Sequence, residues 1–332
     1  MSEYKGIQGY TVRSIDQEPT KAFPGGAANT GQVWYSPNGN FYLQKNLGVN
    51  GTWTTVNSMN TARNSLAGAG TQTSALAFGG NTPPFTAATE KYDGTNWTSV
   101  NSMNTARDDL AGCGTQTSAL AFGGLIGPPN VRQSATEKYD GTNWTSVNSM
   151  NTARDSLAGA GTQTSALAFG GFTPPVTTAT EKYDGTNWTS VNNMNTARTS
   201  LAGAGTQTAG LAFGGFLPPQ TAATEKYDGT NWTSVNNMNT ARTNLAGAGT
   251  QTSALAFGGV NPPTTRLSST EKYDGTNWTT VNSMNTARSS LAGAGTQTSA
   301  LAFGGLIGPP IVRQSATEQW DLNVYSNKIT IT

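Results

Sequence analysis

The stretch TEKYDGTNWTSVN that begins at Thr89 returns at Thr136, Thr180, Thr224 and Thr270, with one changed letter in the last copy. No other feature constrains the fold as strongly. Its tryptophan recurs at Trp53, Trp97, Trp144, Trp188, Trp232 and Trp278, at intervals of 44, 47, 44, 44 and 46 residues. A second marker, the diglycine of LAFGG, ends at Gly80, Gly124, Gly171, Gly215, Gly259 and Gly305. A period of this length means that one supersecondary unit, unable to bury its apolar residues alone, stacks on copies of itself. Length alone would divide 332 residues into about two domains. The repeats argue instead for one array between two short ends.

Within a unit there is no apolar stripe at helical spacing; short runs alternate with turn signals and read as four strands. Strand a is SLAGAGT, b SALAFGG, c TEKYD and d WTSV, with TQT between a and b and DGTN between c and d. Asp-Gly suits the second turn because glycine accepts a positive φ. Four short antiparallel strands in about 45 residues make a propeller blade. The expected fold class is therefore all-β, a six-bladed β-propeller. Small residues place strand a innermost, where six blades crowd the axis, and Leu, Phe, Tyr and Trp fill the gaps between blades.

The ends of the array complete each other. The first copy is a lone strand d, NGTWTTVN at Asn50 to Asn57, while the last stops at TEQWD, Thr317 to Asp321, with Trp320 in the tyrosine place. Pairing the two fragments closes the ring and hides both sheet edges. The propeller is expected over 50–321. Residues 1–49 read as an N-terminal attachment module with a hairpin in GQVWYSPNGNFYLQKN, and 322–332 as a C-terminal strand packing with it.

Every length difference between copies falls in the b-to-c connection, from NTPPFTAA at Asn81 to LIGPPNVRQSA at Leu125 and LIGPPIVRQSA at Leu306. In an antiparallel blade this loop shares a rim with the d-to-a loop, NSMNTAR, so one rim is expected to carry a constant ring of Asn, Met and Arg and a variable ring of diproline loops. Proline stiffens a loop and lowers the entropy lost on binding. The candidate binding rim is Phe85, Ile126, Arg132, Phe172, Phe216, Arg266, Ile307 and Arg313. The loops of the second and sixth units are nearly the same, which points to copying.

Charged residues make up 11% of the chain and the formal balance is +1 without basic or acidic runs, so neither nucleic acid nor an anionic membrane is an expected partner. No run of 18 apolar residues and no signal-peptide core occurs, which argues against membrane insertion and signal-directed secretion. The single cysteine, Cys113, takes a slot that is alanine elsewhere and reads as a small buried filler.

A diglycine after an apolar strand, then Tyr, then Trp, then a Met and Arg turn, here LAFGG, KYDGTNW and MNTAR, resembles the kelch repeat over roughly 50–321. The resemblance implies a kelch-type propeller and says little of function, since such propellers serve as enzymes, adaptors and structural parts. The near identity of the copies, with LAGAGTQTSALAFGG and the leading GQVWY, is similar to kelch-type virion proteins of marine tailed bacteriophages, cyanophages among them. This implies a non-enzymatic virion component, a tail fibre, tail-associated or capsid decoration protein, made in the host cytoplasm. Its partners would be other virion proteins or a host cell-surface glycan or protein. An intracellular adaptor is the alternative, and a carbohydrate-active enzyme is the least favoured.

No cofactor, metal or catalytic residue is expected. Kelch-type copper oxidases need histidine ligands, and the chain has no histidine. Zinc sites of Cys and His fail likewise. Glycoside hydrolysis needs paired carboxylates at one place, whereas the acids here are spread around the ring. Within a unit, Asp93 reads as a turn residue, Lys91 as a solvated edge charge, Glu90 with Arg107 as a polar tie, and Tyr92 and Trp97 as core. The NWT triplets at Asn96, Asn143, Asn187, Asn231 and Asn277 match a glycosylation pattern that turn composition explains.

Overall fold

The computed structural model describes residues 13–14, 33–35, 41–44, 50–261, 265–322 and 326–329. Among these every regular element is a β-strand. The chain divides into two units, Thr52–Asp321 and the paired ends Met1–Gly51 with Leu322–Thr332.

The larger unit is a six-bladed propeller of four-stranded antiparallel sheets. Blade 1 consists of strands a to d at Ala67–Thr71, Ser74–Phe78, Thr89–Tyr92 and Trp97–Val100. Blades 2 to 6 begin with innermost strands Ala111–Thr115, Ala158–Thr162, Ala202–Gly205, Ala246–Thr250 and Ala292–Gly295. Each innermost strand neighbours the next, and that of blade 6 neighbours that of blade 1. Blade 6 is completed by Thr52–Val56, which pairs with Thr317–Asp321 in the register Trp320↔Trp53. The split copy therefore closes the ring, as the two fragments require.

Each blade interface repeats the same contacts. Trp144 of blade 2 packs on Phe78 of blade 1 at 5.0 Å between ring centroids and donates Nε1–H to Thr89 Oγ1 at 3.0 Å. At the closing interface Trp97 does the same to Phe303, at 5.1 Å, and to Thr317, at 3.0 Å. Trp53, on the strand from the front of the chain, reaches back to Phe257 and Thr270 of blade 5. Such an aromatic pair adds about 0.5–1.5 kcal/mol beyond the area it buries, and the indole N–H keeps a partner in a dry gap. On the turn side, Gln116 Nε2 donates to Tyr92 O of the preceding blade at 2.6 Å, and Gln72 to Trp320 O at 2.7 Å.

One expectation is corrected here. Lys91 is not a solvated edge charge: its Nζ donates to Gly141 O in the next blade at 2.5 Å and lies 5.4 Å above the centroid of the Tyr139 ring. The small residues of strand a have a further cause. A Cβ on Gly68 would stand 2.7 Å from Phe303 Cζ and 2.9 Å from Gly293 O, so the crowding comes sideways from the preceding blade as well as from the axis.

In the unit formed by the chain ends, Arg13–Ser14, Val33–Tyr35, Phe41–Gln44 and Ser326–Ile329 lie in that order in one sheet. The first pair is parallel; Val33–Tyr35 and Phe41–Gln44 are antiparallel, as are Phe41–Gln44 and Ser326–Ile329. The turn of the hairpin expected in GQVWYSPNGNFYLQKN, residues 36–40, lies outside the described residues.

Removing Thr52–Val56 would leave strand c of blade 6 as an open edge and strip blade 5 of the Trp53 contact. The deletion is expected to lower the melting temperature and to replace one sharp calorimetric transition by a broad one. A deletion variant melting like the intact chain would contradict closure by this strand.

Candidate functional site

Strands a and c begin, and b and d end, at one face of the ring, so the b-to-c and d-to-a loops emerge there together. Each d-to-a loop crosses this face from the outermost strand of one blade to the innermost strand of the next. On the way it is tied down by its polar residues. Asn60 donates its backbone N–H to Glu90 Oε2 at 2.7 Å and its amide to Trp97 O at 3.2 Å. Arg63 donates Nη1–H to Gly79 O at 3.0 Å and to Ala88 O at 2.5 Å, and Nη2–H to Glu90 Oε1 at 3.1 Å.

The same pair recurs as Arg107–Glu137, Arg154–Glu181, Arg198–Glu225, Arg242–Glu271 and Arg288–Glu318, with every guanidinium fully buried. Burial pulls each guanidinium below its ordinary pKa, and the partner glutamate offsets this. The expected tie between Glu90 and Arg107 is thus corrected: glutamate pairs with the arginine of the loop entering its own blade, Arg63, not the loop that leaves it. The expected surface ring also loses two members, because Arg63 and Met59 lie under the loop and only the asparagines are exposed. The diglycine threads between two such loops. A Cβ on Gly79 (φ 67°) would be 2.8 Å from Arg107 O, and one on Gly80 (φ 103°) 2.8 Å from Asn64 O.

The variable loops stand above this layer. Leu125–Ile126 with Val131–Arg132, Val260–Asn261 with Thr265–Arg266, and Leu306–Ile307 with Val312–Arg313 form three short ribbons, in blades 2, 5 and 6. The three shorter loops are pinned by single bridges, Asn81↔Phe85, Phe172↔Val176 and Phe216↔Gln220. Of the eight candidate residues, the five apolar ones, Phe85, Ile126, Phe172, Phe216 and Ile307, are half-buried at the loop bases. The three arginines each reach into the following blade. Arg132 Nε lies 2.6 Å from Asp155 Oδ1, an ion pair not aligned as a hydrogen bond, and its guanidinium sits 4.4 Å above the centroid of Phe172. Arg266 donates to Gly308 O at 2.9 Å and Arg313 to Asn81 Oδ1 at 3.0 Å. They fasten loop to loop. Arg132 and Phe172 are brought together from neighbouring blades, Ile126 shares a ribbon with Arg132 and Ile307 one with Arg313, while Phe85, Phe216 and Arg266 lie in separate loops around the ring.

Sequence reasoning passed over the residues that are most exposed. Val131, Leu217, Ile311 and Val312 are the exposed large apolar side chains among the described residues, and Ile311 keeps 67% of its surface open. Each is within two residues of a diproline, a signal that the sequence offered. The diprolines at 83–84, 128–129, 174–175, 218–219 and 309–310 are exposed as well.

At the centre of the same face the residue preceding each buried leucine of strand a adopts a left-handed backbone: Ser65, Asp109, Ser156, Ser200, Asn244 and Ser290, with φ between 49° and 54°. Their backbones make a closed cycle. Ser65 N–H donates to Ser290 O, Asp109 to Ser65, Ser156 to Asp109, Ser200 to Ser156, Asn244 to Ser200 and Ser290 to Asn244, at 2.8–3.0 Å. Asn and Asp tolerate this region because their short polar side chains bond locally. These residues and the leucines that follow line an axial neck of about 120 Å³.

The six-fold pattern is broken electrostatically in one sector. Burial and then the neighbouring Asp109 charge push the Asp108 carboxyl up to about 7. Burial pushes Asp109 up to about 6, against a hydrogen bond from Ser65. Asp155 contributes to both. The turn carboxylate Asp93, which accepts from the backbone N–H groups of Thr95 and Asn96, is instead held low by those bonds. Cys113 is buried and its thiol is pushed up to about 12, consistent with a filler. Among the described residues no three His, Cys, Asp or Glu side chains are grouped to hold a metal ion, and no helix is long and apolar enough to cross a membrane. No protein-family model matches the chain, and no curated protein is similar enough to be matched.

Two tests follow from these interactions. Arg154→Met strands Glu181 in a dry site and is expected to cost about 3–5 kcal/mol in urea denaturation; pairing it with Glu181→Gln should recover only part, because the bonds of Arg154 to Gly170 O and Ala179 O are still lost. For Asp108 and Asp109 the folded pKa lies above the unfolded one, so the folded state holds more protons between about pH 4 and 7. Stability should fall as pH rises through that window, and Asp108→Asn should flatten the slope of the urea midpoint against pH.

Proposed function

We propose that this chain is a non-enzymatic binding scaffold of the kelch type, and a virion protein of a tailed phage, using the diproline face to contact another virion protein or a host surface receptor. The observation that carries the binding reading is an asymmetry between the two faces of the ring. Exposed apolar side chains, paired prolines and all variation in length gather on one face of a scaffold that is otherwise the same six times. The chain enters the propeller at Thr52 and leaves it at Asp321, paired residues at the opposite face, where the c-to-d turns lie. Paired prolines and loop-to-loop clips hold the side chains of the diproline face in place before a partner arrives, which lowers the entropy cost of docking.

The virion assignment rests on the repeat resemblance. Mass spectrometry of purified particles tests it, and absence of the protein from them would leave the intracellular adaptor reading in its place. The binding reading is tested with the double variant Ile311→Asp, Val131→Asp. Both positions are exposed, so folding should be untouched while capture of the particle or cell-surface partner falls by about tenfold or more, as for a central apolar anchor. Undiminished capture would place the contact elsewhere.

A further inference from the structure

The axial neck is built from one repeated position, and one copy departs from the rest. Four blades place serine there and blade 5 places asparagine; blade 2 places Asp109, the one ionisable side chain lining the neck. Its surroundings are acidic. Asp108 and Asp155 lie close enough to act on it or on one another electrostatically, and Arg132, on Asp155, is the cation engaged with this group. Three carboxylates thus lie near one another, and the one guanidinium among them pairs with Asp155. Asp108 Oδ1 is buried without a hydrogen-bond partner, while Asp108 Oδ2 accepts from Asn81 Nδ2 at 3.3 Å and Asp109 from Ser65, so the donors that meet these two carboxylates are neutral. The other arginines of this face are committed, the buried six to glutamates and Arg266 and Arg313 to neighbouring loops.

The polar lining suits one class of guest. Asp109 and the hydroxyls of Ser200 and Ser290 approach from different directions around the axis, with Asn244 between them. A guanidinium needs a flat fork of acceptors, whereas an ammonium directs three N–H donors tetrahedrally and accepts such a scattered set. Just inside lie six leucines, Leu66 to Leu291, so the neck offers oxygen at its rim and apolar surface below. About 120 Å³ admits an ammonium head with part of its methylene stem, not a bulky group.

We propose that the axial neck receives the side chain of a lysine presented by the partner of the diproline face, with Asp109 as its counter-ion. This rests on the binding reading of that face and names the charged anchor at its centre; the exposed Val131, Ile311 and Val312 supply the apolar rim around it. The uncharged hydroxyls discriminate by geometry, and Asp109 by charge. A neutral side chain of the same length gains neither.

The test uses the full chain and two probes, Nα-acetyl-lysine N-methylamide and its neutral norleucine counterpart, followed by chemical-shift changes in NMR titration. The lysine probe is expected to shift resonances of Asp109, Ser200, Asn244 and Ser290, and the norleucine probe to leave them unmoved. Asp109→Asn and Asp109→Ser should each weaken lysine binding by about tenfold or more, the loss of one charge-assisted hydrogen bond. Both substitutes already occupy this backbone conformation in other blades, so the fold tolerates them. Equal binding of both probes, unchanged affinity in the two variants, or no binding of lysine would each overturn the proposal. If the loop double variant loses its partner while Asp109→Asn keeps it, the diproline face stands and the lysine anchor falls. If the lysine probe depends on Asp109 while loop variants capture the partner normally, the anchor stands and the rim reading falls.

Discussion

A ring of blades must return to its starting point, and this closure condition governs the molecule. Each blade interface has to turn the chain by the same fraction of a circle, so the interface is written six times in nearly the same letters. The condition is visible at the axis, where six N–H groups and six carbonyls form one hydrogen-bonded cycle. No member of that cycle has a free end. It requires a left-handed residue in every blade, and the serine, asparagine and aspartate found there meet that requirement without glycine. Aromatic pairs and indole-to-threonine bonds repeat the same geometry farther from the axis.

Six buried arginine–glutamate pairs sit between this closed core and the variable loops. Burying an ion pair gains little net stability, because desolvation offsets the Coulomb attraction. Its value here is positional: each arginine bonds to two or more carbonyls and a carboxylate, which hold a polar crossing loop at one height above the blade. A hydrophobic anchor would not satisfy the carbonyls at the ends of strands b and c. The layer so formed is a constant platform, and the diproline loops are free to differ above it.

Much of this was legible in the sequence. The markers, turns and split terminal copy sufficed for a six-bladed ring closed by Thr52–Val56, and the strand assignments differ from the observed ones by a residue or two at their ends. The candidate face was legible only in outline. Phe85 and Phe216 sit in or beside the stiff diproline loops in sequence, yet they are half-buried beside a bridge at the loop base, and Ile311 and Val312 project instead. Arg132, Arg266 and Arg313 add sparse positive charge to the rim in sequence, but a guanidinium within reach of an acceptor on the next loop binds there.

The sequence by itself determined how many blades there are, which residues are core, and which terminal strand completes the ring, because those follow from period and pattern. Tertiary structure alone decided which copy partners which. A repeated sequence looks the same after a shift of one unit, so nothing local says whether Glu90 takes Arg63 or Arg107, or whether Lys91 reaches water or Gly141. The direction in which successive blades stack resolves that choice. The same stacking carries Asp109 and Asp155, 46 residues apart in the chain, close enough to act on one another electrostatically.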